Sequence, residues 1–216
     1  FFFKQKTAYE ISTRDWSSDV CSSDLESRER ARDDGDSRAR GGREDDVRYW
    51  VSAEGGLVDA ADATVSVLDH GFTVADGVFE TLKLTDGVPF ALRRHLDRLD
   101  RSALRMGLPV PERAWVRDSA LATAAANAAE VGPLGRMRIT YTAGASPLGS
   151  DRGENEPTLV IAVSPTKPWP ESAAVITVPW PRNERSPLAG VKSTSYAENV
   201  LALDRKSTRL NSSHEW

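Results

Sequence analysis

Lys192 stands in Leu188-Ala189-Gly190-Val191-Lys192, three residues ahead of Ser195, which is suited to cap a helix. A lysine at such a strand-to-helix junction is open to partial desolvation, which favours the neutral amine that attacks a carbonyl carbon to make a Schiff base. A solvated loop lysine has the same spacing, and spacing alone does not separate the two. Arg98, in Arg93-Arg94-His95-Leu96-Asp97-Arg98-Leu99, is the second candidate. Beside an inward-facing Leu99 its guanidinium can reach a pocket edge and hold a phosphate bidentately, or simply lie on a solvated helix face. Asp69-His70 could serve acid/base chemistry, but no Ser or Cys elbow accompanies it. His95 finds no second metal ligand at useful spacing, and there is no phosphate-binding glycine loop or dinucleotide fingerprint.

Composition narrows the classes. The 216 residues carry 28 Lys+Arg against 32 Asp+Glu and one Cys, with 39% hydrophobic residues. A net charge of -4 argues against general nucleic-acid affinity, which needs a clustered basic face. No apolar run is long enough to cross a bilayer, and a single Cys cannot form an internal disulfide. A cytoplasmic location is expected.

The two ends read as foreign. Codons can be chosen for 15–25, DWSSDVCSSDL, whose reverse complement translates as the stretch from Asp204 to Ser213, in DRKSTRLNSSH. No protein-level cause makes two peptides of one chain reverse-complementary, and both resemble translated sequencing-adapter DNA. Residues 1–25 and 204–216 are therefore expected to be artefact. Residues 26–46, with six Arg and eight acidic residues and almost no apolar content, are expected to be disordered.

Between these ends the periodicity predicts strands at Val47–Val51, Val65–Leu68 and Val78–Leu84, with turns at Gly55-Gly56 and Asp86-Gly87. Leu96, Leu99, Ala103 and Met106 form one stripe of a helix ended by Gly107. A second, Ala-rich helix runs from Pro111 to about Glu130. Strands follow at Arg136–Thr142, half-buried, and Thr158–Val163, buried on both faces. Three prolines in 164–170 mark a linker between a small α+β domain, 47–163, and the start of a second domain, 171–203. That start is a strand, Ala174–Val178, and a helix opened by a capping box from Ser195 to Glu198.

Asp69-His70-Gly71-Phe72-Thr73-Val74-Ala75-Asp76-Gly77-Val78-Phe79-Glu80-Thr81 resembles the N-terminal signature of the class IV aminotransferases, the fold-type IV pyridoxal-phosphate enzymes. His95-Leu96-Asp97-Arg98-Leu99 is similar to that family's His-x-x-Arg-Leu helix, and the run from Gly190 to Ala202 resembles its Schiff-base lysine segment. The resemblance spans nearly all of 47–203. It implies a two-domain α+β / α/β enzyme of the D-amino-acid aminotransferase type, with a complete small domain and a truncated large one. It further implies a homodimer and pyridoxal 5'-phosphate as cofactor, with Lys192 as the Schiff-base lysine and Arg98 on the phosphate. The substrate would be a small amino compound.

Pro181-Arg182-Asn183-Glu184 with Leu188 to Lys192 looks most like the aminodeoxychorismate lyases, which release pyruvate and leave p-aminobenzoate for folate synthesis. Phe79, as a substrate-side aromatic next to Glu80, looks instead like the D-amino-acid and branched-chain transaminases. Ala197, where a tyrosine is expected, departs from the branched-chain pattern; Tyr196 lies one position earlier. Arg152, in the loop from Ala143 to Gly153, is the candidate for a substrate carboxylate, or else a solvated turn arginine. Ala75 replaces the usual glycine, a mild change unless the position needs positive φ. The family's glutamate for the pyridine nitrogen and its second phosphate-binding turn lie beyond the lysine segment, so the polypeptide as written is expected to be inactive. A non-catalytic module that lost its cofactor half is the alternative.

Overall fold

A computed structural model describes residues 47–212, residue 174 excepted. The expected foreign stretch 1–25 and the charged segment 26–46 lie outside the described residues. All described residues belong to one unit, Gly42–Trp216.

The chain opens with a hairpin of β1 (Arg48–Val51) and β2 (Gly56–Asp59). Gly55, at φ 78°, makes the left-handed turn between them. Because that turn sends the chain back at once, the partner of β1 is the segment directly after it. The expected strand Val65–Leu68 is not formed: Ser66 O accepts from Asp69 N and Ser66 Oγ from Leu68 N, bonds that close a tight turn there. It runs as irregular chain, with Val67 74% exposed. It leads instead into α1 (His70–Thr73), whose N-cap Asp69 is buried and accepts from Gly71 N and Thr142 Oγ1.

β3 (Gly77–Thr85) turns into β4 (Val88–Pro89) through Asp86 and Gly87, both at positive φ, as a type I′ hairpin requires. With β5 (Leu134–Thr142) and β6 (Thr158–Pro165) these strands form one antiparallel sheet in the order β2-β1-β6-β5-β3-β4. One face carries Leu82, Leu84, Met137, Ile139, Leu159, Ile161 and Val163, all buried. Each such side chain contributes roughly 1.5–3 kcal/mol by leaving water. β6 is thus not buried on both faces: Val160 and Ala162 are only half-buried on the other side.

Helices α2 (Leu92–Met106) and α3 (Arg113–Ala126) supply the second layer of that core. α2 buries Leu96, Leu99 and Ala103 and stops at Gly107, φ 72°, as the stripe predicted. The Ala-rich helix begins at Arg113, because Glu112 accepts from Ala114 N and Trp115 N with both carboxylate oxygens. It breaks at buried Asn127, whose side-chain amide bonds the backbone of Arg48 in both directions. A short α4 (Ala128–Val131) follows.

Beyond Pro165 the chain has no helix or strand until α5 (Ala197–Ser212), apart from one bridge at Ser193, among the described residues. The expected strand Ala174–Val178 is not formed over 175–178. A strand needs a neighbour for its N–H and C=O groups, none lies there, and Val175 is 85% exposed. α5 begins two residues after Ser195, so Tyr196, not Ser195, precedes its first turn. The helix runs on through Asp204, where the foreign tail was expected to start; residues 213–216 lie outside the described residues.

Ala75 has φ 58°, so the position does need the left-handed conformation that its methyl group resists. Ala75→Gly is expected to raise stability by about 0.5–1 kcal/mol, the relief of Cβ strain less the extra chain entropy of glycine. Chemical denaturation of the two proteins checks this, and an unchanged or lower midpoint would show that the site is not strained.

Candidate active site

Because β4 is only two residues long, it covers the far end of β3 and leaves the backbone of Gly77 to Phe79 open on that edge. Residues 192–194 fill it. Phe79 N donates to Lys192 O at 3.0 Å and Thr194 N to Gly77 O at 2.8 Å, with Val78 and Ser193 bridged between them. Thr194 Oγ1 donates to Ala75 O as well. Strand alternation then puts Ser193 and Val78 on the helix side, and Lys192 beside Phe79 on the other. Lys192 Nζ lies 4.0 Å from the centroid of the buried Phe79 ring and 5.4 Å from that of Tyr196. The two rings meet edge to face at 5.1 Å.

From the helix layer, Arg98, Ser102 and Arg105 recur at helical spacing along α2 and face the lysine segment. Lys192 N donates to Ser102 Oγ at 3.4 Å and Arg105 Nη2 to Ala189 O at 2.8 Å. Gly190 has φ 77°, and a Cβ there would stand 2.8 Å from Arg105 Nη1, so the turn into Lys192 suits glycine on both counts. Arg98 and Lys192 line one cleft of about 600 Å³ with 182–184, 188–191 and the start of α5.

Glu80 is fully buried between β3 and α2. It accepts from Arg98 Nε at 2.6 Å and Nη2 at 2.5 Å, and its Oε2 lies 2.8 Å from His95 Nδ1. These bonds, against the opposing cost of burial, hold the Arg98 guanidinium above its ordinary pKa. Nη1 of Arg98 has no partner among the described residues.

Arg152 is placed elsewhere. Nε and Nη2 take both oxygens of Asp76, while Nη2 and Nη1 also bond the carbonyls of Met106 and Gly107. A single N–H of its guanidinium is left, and it does not line the Arg98–Lys192 cleft. The loop arginine was expected at a substrate carboxylate; it ties its own loop to β3 and α2 instead. The guanidinium that the sequence reading missed is Arg138, stacked 3.8 Å from the Phe79 ring centroid. It donates to Thr140 Oγ1 and has no carboxylate partner among the described residues. Burial lowers its pKa from the ordinary value, against a weaker opposing pull from Tyr196. Register could have found it: Arg138 lies opposite Thr81, next to Phe79 on the same face.

Known proteins resemble this chain in sequence and fold. The family model for class IV amino-transferases matches residues 77–210. The chain belongs to the class IV aminotransferases. A putative branched-chain-amino-acid aminotransferase of Methanocaldococcus jannaschii is 36% identical over 157 residues, 70% of this chain and 54% of the relative. The chain thus spans about half the length of that protein. Among solved structures, the fold IV-transaminase CpuTA1 of Curtobacterium pusillum superposes with a TM-score of 0.62 at 31% identity, covering 75% of this chain and 60% of its own. The 4-amino-4-deoxychorismate lyase of Pseudomonas aeruginosa gives 0.56 at 28%, covering 72% and 56%. Class IV aminotransferases are pyridoxal-phosphate enzymes, and a neighbour of this fold from Mycobacterium tuberculosis has that cofactor bound. A primary amine and a guanidinium with unused N–H groups, facing one cleft, are the donor set that an aldehyde bearing a phosphate requires.

Removing Arg98 would leave the buried Glu80 with His95 as its remaining partner. Arg98→Met is expected to lower stability by about 2–3 kcal/mol, less than for a wholly buried pair because Arg98 is itself half-exposed. Adding Glu80→Gln is expected to restore part of the loss. Urea unfolding of the two single variants and the double variant tests this; strictly additive losses would mean that the pair is not coupled.

Proposed function

We propose that Lys192 and Arg98 hold pyridoxal 5'-phosphate, Lys192 through its amine and Arg98 at the phosphate, in an enzyme acting on a small anionic amino compound. The best specific activity is that of a 4-amino-4-deoxychorismate lyase. The carrying observation is Lys192 Nζ stacked on Phe79 in the cleft that Arg98 lines.

When bound, the cofactor supplies a conjugated pyridine ring that takes up electrons released at the substrate carbon. The chain's own groups do the rest. Lys192 Nζ, set free by the substrate amine, takes the proton from the substrate carbon that bears the amine. In the lyase the C–O bond to the enolpyruvyl group on the adjacent carbon then breaks, and the proton goes to that group's methylene carbon as pyruvate leaves. Phe79 and Tyr196 wall the amine against water. Arg138 is not among the residues lining the Arg98–Lys192 cleft, but it shares the Phe79 ring with Lys192 and has no carboxylate partner among the described residues; it receives a carboxylate of the substrate in the role first expected of Arg152. The small domain 47–163, the linker 164–170, whose first two residues end β6, and a cofactor domain from 171 then form the two-domain, homodimeric layout expected from the resemblance, in the cytoplasm. The segment from Pro181 to Lys192 supports the lyase.

A second reading, amino transfer by a branched-chain or D-amino-acid aminotransferase, is favoured by the archaeal relative and by the Phe79-Glu80 pair.

Borohydride reduction in the presence of pyridoxal 5'-phosphate, followed by peptide mass spectrometry, is expected to label Lys192. Lys192→Ala should abolish the label, and persistent labelling at another lysine would sink the assignment. With 4-amino-4-deoxychorismate the full-length enzyme is expected to release pyruvate and p-aminobenzoate in equal amounts. Stoichiometric amino transfer to 2-oxoglutarate would overturn the lyase in favour of the transaminase. Arg138→Met is expected to raise KM about 10- to 100-fold, the loss of one charge-assisted hydrogen-bonded pair.

A further inference from the structure

Glu80 is a fully buried carboxylate to which the chemistry above gives no task. Burying a carboxylate without a partner is costly, so its presence behind the cleft needs a cause. Its bonds supply one. A planar guanidinium offers two bidentate edges, Nε with Nη2 along its side and Nη1 with Nη2 at its end. Glu80 takes the side edge with both oxygens, at 2.6 and 2.5 Å. His95 Nδ1, 2.8 Å from Oε2, holds the same carboxylate from the preceding turn of α2. Only the end edge of Arg98 remains, its Nη2 also 3.5 Å from His95 Nδ1, on a side chain that lines the cleft with Lys192.

We propose that Glu80 is the positioning residue of the phosphate site: by occupying the side edge of Arg98 it dedicates the end edge to the cofactor's phosphate. This rests on the reading of Arg98 as the phosphate-holding residue. Charge alone makes the opposite prediction. A carboxylate against Arg98 repels a phosphate dianion, so removing its charge should tighten phosphate binding. If instead Glu80 fixes the fork, removing its charge frees the guanidinium to rotate, and phosphate binding weakens. A purely structural role would weaken every ligand of the cleft alike.

The experiment compares dissociation constants for pyridoxal 5'-phosphate and for pyridoxal, which lacks the phosphate, on the purified full-length protein, with thermal melting as a check of folding. The unmodified chain is expected to favour the phosphorylated ligand by about tenfold or more, the worth of one charge-assisted bidentate contact. In Glu80→Gln that preference is expected to fall about fivefold while pyridoxal affinity stays the same. Arg98→Lys keeps the charge but cannot hold two partners with one fork, and it is expected to lose the preference too, even if Glu80→Gln proves too unstable to study. A preference retained or increased in Glu80→Gln, or retained in Arg98→Lys, would overturn the role of Glu80 and leave Arg98 in place. No preference in the unmodified chain would overturn the reading of Arg98 itself, and the positioning role with it.

Discussion

The short stretch of backbone pairing between Gly77–Phe79 and Lys192–Thr194 is the interaction on which the site depends. A segment with no helix or strand of its own, far along the chain, gains a fixed register from two main-chain hydrogen bonds and a threonine hydroxyl. That register decides which way Lys192 faces. One residue of slip would turn its amine to the helix side and bring Ser193 or Val191 against Phe79. The two-residue β4 is what leaves this edge vacant, so the tight Asp86-Gly87 hairpin and the placement of the lysine are parts of one arrangement.

Strand alternation also explains how one strand serves two ends of a ligand. Phe79 and Glu80 are neighbours in sequence and point to opposite faces of β3. Phe79 supports Lys192 and Arg138 on the open face. Glu80 reaches α2 on the other and grips Arg98 and His95. The amine and the guanidinium are thereby referenced to a single rigid element rather than to two loops, which suits a cofactor that must be held at both ends. Ala75 at positive φ and Gly190 beside Arg105 mark the two turns that bring the pieces together.

Much of this was legible in the residues. Helix α2 followed from the stripe Leu96, Leu99, Ala103 and Met106, and its end from Gly107, because a long amphipathic period is a strong signal. The β3–β4 turn followed from Asp-Gly for a local steric reason. Val65–Leu68 and Ala174–Val178 misled, since β-branched composition describes what fits a sheet and not whether an edge is available. Lys192 and Arg98 were legible only as members of a recognised pattern. Their convergence depends on pairing across more than a hundred residues, which no local period encodes. Arg152 and Arg138 show the same limit from the other side. Each is an arginine near a glycine-rich or polar stretch, and only the fold shows that Asp76 has claimed one and that the other stands on Phe79 with no carboxylate partner among the described residues.

Amide hydrogen exchange at Phe79 and Thr194 reads the decisive pairing directly. The two amides are expected to exchange as slowly as those of the β3–β5 ladder, since Phe79 N donates to Lys192 O and Thr194 N to Gly77 O along the edge of the same sheet. Exchange as fast as in the irregular chain around Val175 would mean that the lysine segment is not docked. The placement of Lys192 over Phe79, and the site built on it, would then be wrong.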